Sequence, residues 1–179
     1  MSEGAPAWAY ERAAVSPHDP RWTVRAQAET AELTTLPAPW LTAEIEHVGS
    51  TAVPGLAAKP IIDLMAAVTD LDAVVEQASD QLAASGWSYV PPALDQRPWR
   101  RFFVKPDATG LRRVAHLHLI QSGHQRWADQ IRFRDALRVS PDLARQYENL
   151  KRDLADHRGH DREAYTEGKA AFVASVLNP

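Results

Sequence analysis

Three side chains and one turn in this sequence carry the residue types and spacing that chemistry needs. Gly49-Ser50 makes a sharp turn after an alternating stretch that ends at Val48, and a residue without a Cβ lets the backbone approach a ligand closely. Pro54-Gly55 and Lys59-Pro60 then lead into Ile61-Ile62-Asp63-Leu64-Met65, the start of a second apolar strand. Asp63 is costly to bury there without a cation, a metal or strong hydrogen-bond donors. A Gly-Ser turn after one strand and a carboxylate on the next can hold a triphosphate and its magnesium. In a purely structural reading they are a plain turn and a carboxylate paired with a neighbouring arginine.

His116 and His118 stand two apart on a strand, so their side chains share a face with Val114 and Ile120. On an inner face they can ligate a metal, move protons or contact phosphate; on an outer face they are solvated and inert. His47, one residue before Val48 and the turn, is expected nearby, which brings three of the 7 histidines to one sheet. On the strand Arg100 to Lys105, Arg101, Phe103 and Lys105 share one face and Arg100, Phe102 and Val104 the other. Arg101 and Lys105 are assigned to phosphate, as is Lys59 where the loop meets the Asp63 strand; a solvated edge strand guarded by charge is the alternative. Arg132, Arg134 and Asp135 read as a structural network from which Arg134 can reach the pocket. Tyr147, Lys151, Tyr165 and Lys169 read as helix-face packing and solvent contacts.

The elements that must position these residues follow from periodicity and breakers. Residues 1–8 read as a disordered leader and 9–179 as a single domain. Asp19-Pro20 starts a helix through Trp22, Ala26, Glu29 and Leu33 that Pro37 and Pro39 end. Thr42 to Val48 and Pro60 to Val68 are strands, the second apolar enough to be buried on both faces. Leu71, Val74, Val75, Ala78 and Leu82 form the buried stripe of a helix that Gly86 ends. Trp87 to Val90, Arg100 to Lys105 and Arg112 to Gln121 are strands, with Leu94 to Trp99 a loop and Pro106 to Gly110 a hairpin connection. The rest is helical: one helix through Trp127 and Leu137, a second capped by Ser140 with Pro141 first, and a third from about Asp161 through Val176. The fold class is α+β, a mixed β-sheet with flanking helices and a C-terminal helical segment.

Composition excludes several functions. At 179 residues with 45% hydrophobic and 24% charged residues, the chain is an ordinary globular domain with a sizeable core. A net charge of −3 provides no field that recruits nucleic acid or anionic lipid. With no cysteine, disulfides, thiol nucleophiles, Cys-ligated zinc and iron–sulfur clusters are out. Met1 to Pro6 lacks the basic start and apolar run of a signal peptide, and no stretch reaches bilayer length, so the expected setting is cytoplasmic.

Several segments together resemble the GrpB family. They are Asp19-Pro20-Arg21-Trp22, Ile45 to Leu64 with its Glu-His-Val-Gly-Ser-Thr-Ala-Val-Pro-Gly-Leu block, Arg100 to Lys105, His116-Leu117-His118 and Phe133 to Arg138. Tyr147-x-x-Leu150-Lys151 and Arg162-Glu163-Ala164-Tyr165 extend the likeness, which spans Val15 to Leu177. The resemblance implies a nucleotidyltransferase-like fold. In that superfamily a Gly-Ser turn, two carboxylates two residues apart and a later third one hold two magnesium ions on a nucleoside triphosphate. Here Gly49-Ser50 matches the turn and Asp63 the first carboxylate, Met65 stands at the second, and His116 and His118 replace the third. One hard oxygen ligand is poor for two magnesium ions, though substrate phosphates can complete one octahedron; imidazole better suits zinc, manganese or iron. The implied activity is transfer from a nucleoside triphosphate to a small-molecule acceptor with a divalent metal, magnesium or manganese. In that scheme Asp63, His116 and His118 are catalytic and metal-binding, and His47, Gly49, Ser50, Lys59, Arg101 and Lys105 hold substrate. The alternatives are a non-nucleotidyl enzyme using the two histidines as acid and base or as ligands of zinc or iron, and a non-catalytic nucleotide- or metabolite-binding module.

Overall fold

A computed structural model describes residues 5–35, 40–158 and 161–178. The apolar stripe Trp22, Ala26 and Leu33 forms α1 (Arg21–Thr35); Pro37 and Pro39, expected to end it, lie outside the described residues. Strands β1 (Glu46–Val48) and β2 (Ile62–Val68) flank the Gly-Ser turn. Helix α2 (Leu71–Ala84) opens on Asp70, whose carboxylate accepts from the Asp72 and Ala73 amides at 2.9 Å, and buries Val74, Ala78 and Leu82. Then come β3 (Ser88–Val90), the single turn α3 (Pro92–Asp95), β4 (Arg100–Pro106) and β5 (Arg113–Gln121). The last third is helical: α4 (Gln125–Val139), α5 (Pro141–Arg158), α6 (Arg162–Glu167) and α7 (Ala170–Leu177).

The strands form one mixed sheet in the order β1-β2-β5-β4-β3, in which only β2 and β5 run parallel. The fold is thus α+β. Helices α1 and α2 cover one face, burying Trp22, Leu33, Leu64, Val68, Val74, Leu82, Phe103, Leu117 and Leu119 in the main core. The helical third builds a second core in which Phe133, Leu137, Tyr147 and Phe172 close on Val53 and Leu56 of the loop after the turn. Ser140 caps α5 as expected, its hydroxyl accepting from the Leu143 amide at 3.3 Å. Among the described residues no helix is long and apolar enough to cross a membrane.

Four expectations need correction. The first strand starts at Glu46 rather than Thr42: Leu41 makes an isolated bridge to Val68 and the Thr42 amide bonds Ala67, but no ladder joins them to β1. The loop Leu94 to Trp99 begins as the last residues of α3, which buries Asp95. The last helix is two pieces, because the chain turns at Gly168, where a Cβ would lie 2.5 Å from Leu154 of α5. Of the leader, residues 1–4 lie outside the described residues. Ala7–Tyr10, however, is a 3-10 turn whose Trp8 is buried against Phe102 and Val104, with the Arg113 guanidinium 4.7 Å from its ring.

Candidate functional site

The parallel pairing of β2 and β5 brings the three chemical side chains together. Its register sets Asp63 beside His116 and Met65 beside His118, on the sheet face that α1 and α2 leave uncovered. His116 Nδ1 donates to Asp63 Oδ1 at 2.9 Å, and His118 Nε2 donates to the same oxygen at 3.3 Å. The proton on His118 Nε2 follows from its other nitrogen, since Arg100 donates to Nδ1 at 2.5 Å. Asp95 holds Arg100 in turn, accepting from Nε at 2.8 Å and from the guanidinium at 2.5 Å. A chain Asp95–Arg100–His118–Asp63 therefore fixes the carboxylate. Burial acts to raise the Asp63 pKa, but hydrogen bonds from His116 and His118 outweigh it and hold the carboxyl well below the usual range. Burial pushes His116 down to about 4, and burial with the nearby Arg100 charge pushes His118 down as well. At neutral pH the site is one carboxylate between two neutral imidazoles. His116 Nε2 is buried, with no partner among the described residues.

The turn is fitted to this carboxylate. Gly49 has φ 71° and ψ −171°, a combination essentially closed to other residues, and a Cβ there would lie 2.6 Å from Asp63 Oδ2. The same cavity has a wall of lysines and tyrosines, Lys59 from the loop before β2 and the others from the helical third. Lys59 Nζ lies 3.8 Å from the Tyr165 ring centroid, Lys169 4.7 Å from the same ring and Lys151 5.0 Å from that of Tyr147. Lys151 also donates to the Ala57 carbonyl. Burial, with Lys169 nearby, pushes Lys151 down to about 7, and burial pushes the Tyr165 hydroxyl up to about 12. Turn, carboxylate and lysine wall line one cavity of about 960 Å³.

Gly49, Ser50, Lys59, Asp63, His116 and His118 thus line one cavity. His47, Arg101 and Lys105 do not. The register pairs them with Leu64, Leu119 and Ala115, core residues on the helix-covered face. His47 Nε2 lies 3.0 Å from Thr51 Oγ1. Arg101 bonds Asp72 of α2 at 2.6 Å, and Lys105 bonds Glu29 and Glu32 of α1, both at 2.8 Å. These three are ties between the sheet and its surroundings. Arg134 is structural too, bonding Glu46 at 2.6 Å and the His47 carbonyl at 3.0 Å. The residues missed are Arg100, which replaces Arg101 on the open face, Tyr147, Lys151 and Tyr165, which are buried rather than solvent-facing, and Lys169, which lines the cavity beside Tyr165. A signal for two of them was present: Tyr147 and Lys151 are four apart, which stacks a ring and an ammonium on one helix face.

The donor atoms of Asp63, His116 and His118 lie within 4.8 Å of one another, a spacing that can hold one ion. It does not extend to two magnesium ions, because the neighbouring positions on this face are Val48 and Met65, which bring no oxygen ligand. An ion inside the trio would replace the protons now shared with Asp63. His118 would then turn its far nitrogen, protonated, towards the Arg100 guanidinium, itself a donor, where a ligating imidazole wants an acceptor. The donor set fits better with Asp63 Oδ2 as the ligand and the imidazoles as its supports.

Comparison with known proteins gives a consistent group of relatives. The family model described as GrpB protein matches residues 12–178. UPF0157 protein PA4798 of Pseudomonas aeruginosa is 41% identical over 172 residues, covering 93% of this chain and 67% of that protein. UPF0157 protein YqkA of Bacillus subtilis is 35% identical over 132 residues, 74% of this chain but 37% of the relative's length. The crystal structure of conserved protein GrpB from Enterococcus faecalis superposes with a TM-score of 0.79 at 28% identity, covering 92% of this chain and 94% of that one. The Cid1 poly(U) polymerase superposes with a TM-score of 0.48 at 13% identity over 78% of this chain and 45% of its own, too slight a likeness to carry any inference about chemistry.

Proposed function

We propose that this chain, which belongs to the GrpB family, is an enzyme that transfers a nucleotidyl or phosphoryl group from a nucleoside triphosphate to a small acceptor. The observation that carries this reading is the single cavity joining the Gly49-Ser50 turn, the ionised Asp63 and three lysines. Phosphoryl chemistry asks mainly for positioning and charge neutralisation. Backbone amides at the Gly49-Ser50 turn would bind the phosphate oxygens, and Lys59, Lys151 and Lys169 would offset their charge. The Asp95–Arg100–His118 chain keeps Asp63 in one orientation, and His116 donates to the same Asp63 oxygen as His118. A divalent ion would be held by Asp63 with substrate phosphate oxygens completing its shell, supplying charge stabilisation to the transferred group. The transition state of such transfers is loose, so the acceptor's proton leaves late and no strong base is required. Incubation with each nucleoside triphosphate, magnesium or manganese and a metabolite pool tests the reading. Pyrophosphate or phosphate release that falls at least about tenfold in Asp63→Asn supports it, and no release from any mixture overturns it.

The clustering of the three donor atoms within 4.8 Å favours a second reading, in which the trio holds one zinc, manganese or iron ion for a different small-molecule reaction. Metal analysis of protein purified without chelators separates the two. Stoichiometric transition metal with no triphosphate binding supports the second reading, and metal-free protein that binds triphosphate with magnesium supports the first. A ligand bound tightly and recovered unchanged with every acceptor and metal would instead identify a binding module.

A further inference from the structure

The cavity has a second end that the phosphate reading does not use, and its chemistry differs. Trp99 and His124 lie there nearly parallel, with ring centroids 6.3 Å apart and an interplanar angle of 27°. Two guanidinium groups, of Arg100 and Arg126, each lie 5.3 Å from the Trp99 ring centroid. His124 is held in place as the cap of α4, its Nδ1 accepting from the Arg126 amide at 3.1 Å. Asp129 and Gln130, one turn along α4 from Arg126, line the same cavity, and Gln125 donates to the Asp129 carboxylate at 2.9 Å. Trp99 is only partly buried, packing one edge on Val48, Met65 and Ile120 while still lining the cavity.

We infer that this end is a subsite for a planar heteroaromatic ring, the base of a nucleoside, stacked on Trp99 and flanked by His124 and Arg126. The inference rests on the nucleotide reading above and names the part of the substrate that the lysine wall cannot recognise. Aromatic rings and guanidinium planes are the surfaces on which nucleobases stack, whatever their sequence identity. Asp129 and Gln130 supply what stacking lacks: a carboxylate accepts from an exocyclic amine, and an amide both donates and accepts at a base edge. A phosphate would gain little here, since the Asp129 carboxylate lines the same cavity, about one turn along α4 from Arg126. Arg100 links the two ends, being 2.5 Å from His118 Nδ1 and 5.3 Å from the Trp99 ring. A ring on Trp99 therefore lies one guanidinium away from the residues that hold Asp63.

Calorimetric titration of the full chain with tripolyphosphate, the four ribonucleosides and their triphosphates tests the subsite. At least one nucleoside triphosphate should bind about tenfold tighter than tripolyphosphate. Trp99→Ala and Arg126→Gln should each reduce that margin by severalfold and leave tripolyphosphate affinity unchanged, while Trp99→Phe should preserve it. Because Trp99 also packs on the sheet, Arg126→Gln keeps the test decisive should Trp99→Ala melt early. A nucleoside that binds in a Trp99-dependent way while tripolyphosphate does not would uphold the subsite and sink the phosphate reading. No margin for any of the four bases, a margin unchanged in both variants, or no binding of any nucleoside or nucleotide would overturn the inference.

Discussion

Replacing Gly49 with alanine adds one methyl group where the Asp63 carboxylate is held, and its cost can be worked out in two parts. The backbone part comes from φ 71° and ψ −171°, a region where a residue with a Cβ costs about 1–3 kcal/mol. The contact part comes from the new Cβ, 2.6 Å from Asp63 Oδ2 and 3.3 Å from its Cγ. Either the turn moves or the carboxylate swings off His116 and His118, and a hydrogen bond to a charged group is worth about 1.5–3 kcal/mol. With partial loss of one such bond the total is about 2–4 kcal/mol. In a chain of 179 residues each kcal/mol moves the melting temperature by about 2–4 °C, so calorimetry should show a fall of roughly 5–15 °C. The partner variant is Asp63→Ala. With the carboxylate gone only the backbone part remains, and a double-mutant cycle should show a coupling of about 1–2 kcal/mol. A Gly49→Ala protein that melts within about 2 °C of wild type, or a cycle that is simply additive, would refute the fit of turn to carboxylate.

The unfolded chain keeps the Lys151 proton up to about pH 10, whereas burial beside Lys169 pushes it down to about 7 in the fold. The unfolded state thus binds the extra proton in between, stability rises with pH across that window, and the urea midpoint should climb from about pH 7 to about pH 9 in wild type but not in Lys151→Met. His47 and His116 are each pushed down to about 4 by burial while unfolded histidines protonate near about 6.5. Stability should therefore fall as pH drops from about 6.5 to about 4, less steeply in His47→Gln, as read by urea unfolding. Arg100→Met leaves the carboxylate of Asp95, a residue 7% exposed, without its bidentate partner and should cost about 3 kcal/mol in denaturant unfolding. Arg101→Ala, whose partner Asp72 has an 82% exposed side chain, should cost under about 1 kcal/mol.

The turn, Asp63 and the two histidines were legible because each breaks a local pattern: a Gly-Ser pair straight after a strand, a carboxylate in an apolar strand, histidines at strand spacing. Which face of β4 works was not. Both of its faces carry an arginine and a phenylalanine, Arg101 with Phe103 and Arg100 with Phe102, so alternation alone leaves the phase open. What decides it is tertiary: α1 and α2 bring Glu29, Glu32 and Asp72 to one side, and α3 brings Asp95 to the other. Lys151 misleads for a related reason. Lysine on a helix is ordinarily solvated, and its burial here follows from docking against Ala57, a residue far away in sequence. The break at Gly168 likewise depends on how closely Leu154 of another helix approaches.

The segment from Thr51 to Ala58 is mostly buried; Val53, Leu56 and Ala58 find backbone partners nearby or in Ser16, but the Ala52 carbonyl and both polar backbone groups of Ala57 are satisfied by latecomers. Arg138 donates to the Ala52 carbonyl, Glu148 accepts from the Ala57 amide and Lys151 donates to the Ala57 carbonyl, across 86, 91 and 94 residues of chain. On a ribosome adding about 5–20 residues per second, roughly 5–20 s separate the loop from those partners. Strands β2 to β5 are all synthesised in that interval, so the pocket is the last thing the molecule acquires. The same latch works in reverse. When α5 peels away, the loop beside the Gly-Ser turn loses its supports while β2 and β5 stay paired, so the Ala57 amide should exchange its hydrogen together with α5 and well ahead of the sheet.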